Sequence, residues 1–140
     1  MTAAMTTQTE LGSRLFTAML AARARVAAQL GLSATDHHCA ELVVHAGRPL
    51  TAGEIAALSG LSTGAITGVV DRLERAGYVR RIRDEHDRRR VLVEVTPVKG
   101  AQLRRAMNVL DTTVAQTLSG YSDADRARLE HCLTAWIRAL

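Results

Sequence analysis

The chain has 140 residues, 47% hydrophobic and 23% charged, the balance of one soluble globular domain long enough to bury a core. Its net charge is +4, and aromatics are only 3% (Phe16, Tyr78, Tyr121 and Trp136), which excludes a single-strand binder built on stacking platforms. Cys39 and Cys132 stand far apart, no apolar run reaches membrane-spanning length, and the N-terminus lacks a basic-then-apolar signal, so a cytoplasmic protein with reduced thiols and no membrane partner is expected.

Residues 1–7 read as a frayed end. From Gln8 to Leu30 the apolar positions Leu11, Leu15, Met19, Ala22, Val26 and Leu30 recur every three or four residues, which predicts a long amphipathic helix ended by Gly31. A second helix is predicted after Ser33, with Leu42, Val43 and Ala46 on its apolar face, broken by Gly47-Arg48-Pro49. Thr51 and Glu54 form a capping box for a third, carrying Ile55, Ala56 and Leu58. Gly60 supplies a tight turn, Leu61 an apolar anchor, and Ser62 a cap for a fourth helix. That helix buries Ile66, Val69, Val70 and Leu73 and stops at Ala76-Gly77.

Tyr78 to Arg83 and Val91 to Val95 alternate as two strands joined by a charged loop, with Pro97 closing the second. Leu103, Met107, Leu110, Val114 and Leu118 mark another long helix. Ser122 with Asp125 caps a last one, expected to bury Leu129, Cys132, Leu133, Trp136, Ile137 and Leu140.

Two short helices at a tight turn, then an arginine-tipped hairpin, describe a winged helix-turn-helix, with double-stranded DNA as the expected partner. Charge supports this reading. Between Arg72 and Arg90 eight arginines stand against four carboxylates, an excess of 8 − 4 = +4, the whole chain's net charge. A local positive field of that kind suits a polyanion. The fourth helix leaves Ser62, Thr63, Gly64, Ala65, Thr67, Gly68, Asp71 and Arg72 off its apolar face, small where it would meet base edges. Gly64 and Gly68 together cost about 1–2 kcal/mol of helix stability relative to alanine. Close approach to DNA and close packing against another helix both account for tolerating that cost. In the wing, Arg88, Arg89 and Arg90 would enter a minor groove, and Asp87 would pair with Arg89 and set the hairpin's shape.

The segments LTAGEIAALSGLSTGAITGVVDRLERAGYVRR and DEHDRRRVLVEVT resemble the multiple-antibiotic-resistance regulator (MarR) family of bacterial transcription factors. The likeness spans nearly the whole chain, with Glu85 where a wing proline is common. It implies a mainly α (α+β) single domain over residues 1–140, with a winged helix-turn-helix lobe at 33–96 and long N- and C-terminal dimerisation helices at 8–30 and 100–140. The implied DNA-facing positions are Ser62, Thr63, Gly64, Ala65, Thr67, Gly68, Arg72, Arg88, Arg89 and Arg90, with Asp87 structuring the wing. The implied protein is a homodimeric repressor of a pseudo-palindromic promoter site, released by a small-molecule or redox signal. Independently, the outer helices carry more apolar stripe than a monomer of this size easily covers, and a two-fold dimer would set two recognition helices about one DNA turn apart.

Other readings have less behind them. His37, His38, Cys39, Glu41 and His45 have ligand chemistry, and His37 and Glu41 fall four apart on one helix, yet the spacing matches no closed metal motif. A metal or redox sensor built on residues 36–45, or a winged helix that binds protein, are the alternatives. Cys132 reads as buried and inert. No GxSxG, GxxxxGK[ST] or HExxH occurs, so neither an enzyme nor a cofactor is expected.

Overall fold

The computed structural model describes residues 2–139; Met1 and Leu140 lie outside it, as do the side chains of residues 2–9 and of Leu110. The elements in chain order are α1 (Thr2–Gln29), α2 (Ala34–Ala46), β1 (Leu50–Thr51), α3 (Ala52–Ser59), α4 (Thr63–Arg75), β2 (Val79–Arg83), β3 (Val91–Val95), α5 (Pro97–Ser119) and α6 (Asp123–Ala139). They form two compact units, Met1–Leu103 and Arg104–Leu140.

In the first unit, local chemistry sets the helix boundaries. Ser33 caps α2 by accepting the Asp36 N–H, and Ser62 caps α4 by accepting that of Ala65. At α3 the capping box is complete: the Thr51 hydroxyl accepts the Glu54 N–H at 3.1 Å, and the Glu54 carboxylate accepts the Thr51 N–H at 2.7 Å. Gly60 ends α3 at φ +73°, a left-handed conformation that glycine adopts without penalty. The chain then turns by 109° into α4, within the range of helix-turn-helix units.

β2 and β3 pair antiparallel from Val79↔Val95 to Arg83↔Val91. The short β1 adds to the other edge of β3 through Leu50↔Val93 and Thr51↔Leu92, so the sheet order is β1-β3-β2. The core gathers Ala27, Cys39, Ala40, Val43, Leu50, Ile55, Ile66, Val69, Val70, Leu73, Tyr78, Val79, Val93 and Leu103, all buried. Tyr78 fastens the sheet to the end of α1, its hydroxyl donating to the Leu30 carbonyl at 2.8 Å.

Five expectations change. Helix α1 starts at Thr2, where residues 1–7 were expected to fray; Thr2 to Gln8 contain neither glycine nor proline to stop it. The two-residue β1 is an addition, too short to show alternation in the sequence. Helix α5 begins at Pro97, upstream of the expected start, because proline's missing N–H costs nothing in a first turn. The stripe of α6 is not buried within the chain: Leu129, Leu133, Trp136 and Ile137 are exposed, as is Cys132. Leu110 and Leu140, expected on the α5 and α6 stripes, fall outside the described side chains. Leu58 and Ala46, placed on apolar faces by periodicity, are also exposed.

Candidate nucleic-acid interface

Helix α4 is divided along its length. Ile66, Val69, Val70 and Leu73 are each 2% exposed or less and seat it in the core. Ser62, Thr63, Gly64, Ala65 and Thr67 are exposed on the opposite side. Their polar groups are partly occupied within the helix: Ser62 caps it, and the Thr67 hydroxyl donates to the Thr63 carbonyl at 3.1 Å. The exposed end is thus a smooth N-terminus with free amide donors, suited to a phosphate or a base edge.

The two helix glycines can now be distinguished. A Cβ at Gly64 would meet nothing within 4 Å. A Cβ at Gly68 would meet only the Arg72 guanidinium, at 3.4 Å. Packing against another helix therefore explains neither position.

Most of the lobe's arginines already have internal partners. Arg72 holds Asp36 of α2 through its Nε and Nη2, at 3.0 and 2.8 Å. Arg80 donates to Glu94 at 2.6 Å across the β2–β3 pair. Arg81 reaches back to α4, to Asp71 at 2.6 Å and Glu74 at 2.5 Å. These bonds, the backbone N–H of Arg81 first, hold the Glu74 carboxyl below the usual carboxylate range. Arg83 donates to the Arg88 carbonyl at 2.9 Å, and Arg90 pairs with Asp84 at 3.5 Å. Among the described residues, the guanidinium groups of Arg75, Arg88 and Arg89 make no hydrogen bond or ion pair. Two of these three, Arg88 and Arg89, lie at the wing tip, and Arg75 lies in the last turn of α4.

The wing is shaped by its backbone. Asp84 N–H donates to the Arg90 carbonyl at 3.1 Å and Arg90 N–H to that of Asp87 at 2.9 Å. Asp87 accepts the Arg89 backbone N–H at 3.0 Å rather than pairing with its guanidinium. Asp84, which sequence reasoning passed over, accepts the His86 N–H at 2.9 Å, and that bond first of all holds its carboxyl below the usual range. Sequence patterning alone does not separate these two aspartates.

The 36–45 cluster resolves into separate roles. Glu41 is buried and held by Arg23 of α1, which also lies 3.1 Å from His38. His37 is 1% exposed, and neither ring nitrogen has a hydrogen-bond partner. Its Nδ1 lies 3.8 Å from Glu41. Burial is the main reason its pKa is lowered; Arg23 and His38 act the same way, and Glu41 opposes them. Cys39 and His45 do not join this group: Cys39 is buried toward Asp36, and His45 lies 3.0 Å from the Glu41 carbonyl. Burial pushes the Cys39 thiol up, and Asp36 adds to that against Arg72, so thiolate is disfavoured. Among the described residues no three such side chains are arranged to hold a metal ion. Among the described residues no single helix is long and apolar enough to cross a membrane.

Residues 30–90 match the family model described as MarR family. YcgE of Bacillus subtilis (strain 168), described as an uncharacterized HTH-type transcriptional regulator, is 46% identical over 87 residues, covering 62% of this chain and 56% of YcgE. The chain spans about half the length of the curated relatives it matches. Among solved structures, the transcriptional regulator BldR of Sulfolobus solfataricus is 27% identical with a TM-score of 0.65, covering 98% of this chain and 96% of BldR. Streptococcus pneumoniae FabT, solved in complex with DNA, has the same fold at 20% identity and a TM-score of 0.78, covering 94% of this chain and 95% of FabT. Over residues 30–90, the winged helix-turn-helix lobe, the chain thus matches the MarR family, and its fold is like that of MarR-family structures.

Proposed function

We propose that this protein is a DNA-binding transcriptional regulator in which α4 enters the major groove and the wing clamps the flanking minor groove. The observation that carries the reading is the pairing of an exposed, small-residue N-terminal end of α4 with a wing tip whose Arg88 and Arg89 guanidinium groups have no internal partner among the described residues. A guanidinium without a carboxylate partner is available to phosphate or to a narrow groove, and such contacts supply most affinity and its salt dependence. The MarR-family relationship and the capture of FabT with DNA support the same assignment.

The working form is a homodimer that represses from a pseudo-palindromic promoter site in the cytoplasm. In support, α1 exposes Leu11, Leu15, Phe16, Met19 and Leu20, and α6 exposes Leu129, Leu133, Trp136 and Ile137, stripes that a second copy would cover. A small-molecule signal releases it. A cleft of about 380 Å³ lined by Leu20, Arg23, His38, Ser59 and Leu61 touches the helix-turn-helix turn and is large enough for a small organic ligand. Redox release through Cys39 is disfavoured by its buried, protonated thiol.

Gel-shift titration of genomic fragments at several salt concentrations, with Arg89→Ala alongside wild type, tests the reading. Strongly weakened binding by a variant of unchanged oligomeric state supports the wing assignment. Equal binding refutes the wing, and absence of salt-dependent binding by wild type refutes the function in favour of a protein-interaction module.

A further inference from the structure

We propose that Arg72 is a positioning residue rather than a DNA contact: with Asp36 it locks the rotation of the recognition helix α4 on α2. This rests on the DNA-binding reading above and deepens it.

The pair is a built feature. Asp36 lies in the first turn of α2, its side chain only 6% exposed. A buried carboxylate without a counter-charge is costly, so the partner is not optional. Arg72 supplies a forked contact: Nε to both carboxylate oxygens at 3.3 and 3.0 Å, and Nη2 to Oδ1 at 2.8 Å. The hydrogen bond that Arg72 donates to Asp36 first, then the carboxylate's charge, raises the Arg72 pKa further. The reach is made over Gly68, one turn earlier on α4, where the absent side chain leaves room for the guanidinium. Helix α2 is in turn tied to α1 by Arg23 on Glu41.

Apolar packing through Ile66, Val69, Val70 and Leu73 holds α4 against the core, but it is non-directional and tolerates small rotations about the helix axis. A bidentate arginine–carboxylate contact is directional. The rotation it sets decides whether Thr63, Gly64 and Thr67 face a groove squarely.

The two roles for Arg72 predict opposite signs. If it were a phosphate contact competing with Asp36, Asp36→Asn would free the cation, remove a negative charge and tighten DNA binding. As a lock, Asp36→Asn weakens it. The probe is a fluorescent duplex enriched by the wild-type protein from a random-sequence pool, read by anisotropy across a salt series.

The expected results are a loss of about fivefold or more in affinity for Asp36→Asn and for Arg72→Gln, with the double variant no worse than either single one. The slope of log affinity against log salt stays unchanged in Arg72→Gln, because no phosphate contact is lost; a true contact would lower it by about one. Arg72→Lys, which keeps charge but loses the fork and leaves Asp36 paired, weakens binding as glutamine does. It supplies the test if Asp36→Asn melts too low to assay. Tighter or unchanged binding by Asp36→Asn, a reduced salt slope in Arg72→Gln, or full affinity in Arg72→Lys overturns the lock and leaves the DNA-binding function standing. Failure of the wild type to enrich any duplex overturns both.

Discussion

Gly64→Ala separates folding from binding. Gly64 is exposed in the first turn of α4, and an added Cβ meets no atom within 4 Å, so the substitution introduces no clash in the free protein. Removing glycine's excess unfolded-state entropy from a helix is worth about 0.5–1 kcal/mol. With a urea m-value of about 2 kcal/mol/M, a gain of about 0.7 kcal/mol moves the unfolding midpoint up by about 0.3–0.4 M. The assay is urea unfolding followed by circular dichroism at fixed protein concentration, since association shifts the midpoint. The same methyl group projects where α4 is expected to approach DNA. A displacement there that loses one good contact costs about 1–3 kcal/mol, roughly fivefold to 150-fold in affinity. The paired outcome is a more stable protein that binds DNA less well. Raised stability with unchanged affinity would refute close DNA approach as the reason for this glycine. Lowered stability would refute the open space around it.

Three further outcomes are expected. The Glu54 carboxyl is lowered to about 2, first by its hydrogen bond from Arg48 and then by the Thr51 N–H and hydroxyl, so its contribution is full above about pH 4.5 and is lost as pH falls toward about 2. Unfolding midpoints of wild type and Glu54→Gln should therefore converge over that window, and a pH-independent gap would contradict the assignment. The lowered pKa of buried His37, with Glu41, Arg23 and His38 facing it, favours the neutral ring in the folded state; that stabilisation is full above about pH 6.5 and declines as pH falls below it. Thermal melts between about pH 7.5 and 5.5 should thus show a steeper acid loss in wild type than in His37→Leu. Tyr78→Phe removes the bond to the Leu30 carbonyl and should cost about 1 kcal/mol of stability without altering the salt slope of DNA binding.

Order and boundaries of most elements were legible in the sequence because they depend on local chemistry. The Thr51–Glu54 box, the Ser62 cap and the glycine after Ser59 act over three or four residues, and each appears in the structure where the sequence places it. The small exposed positions from Ser62 to Thr67 were legible for the same reason: once the period of the apolar face is known, the other face follows. The long-range pairings were not legible. Nothing around Arg72 indicates that it faces Asp36, 36 residues away, and nothing around Arg81 indicates Asp71 and Glu74 rather than solvent. Counting charge along the chain gave the right sum and misassigned its availability, because ion pairing depends on distances of a few ångströms in space. Likewise, periodicity placed Leu129, Leu133 and Trp136 of α6 on one apolar stripe, but a stripe does not identify what covers it, and within the chain these side chains remain exposed. By itself the sequence determined the winged helix-turn-helix and the side of α4 turned away from the core. Only the tertiary structure decided which arginines are free to meet a polyanion, because a guanidinium held by a carboxylate from another element has little left to offer a phosphate.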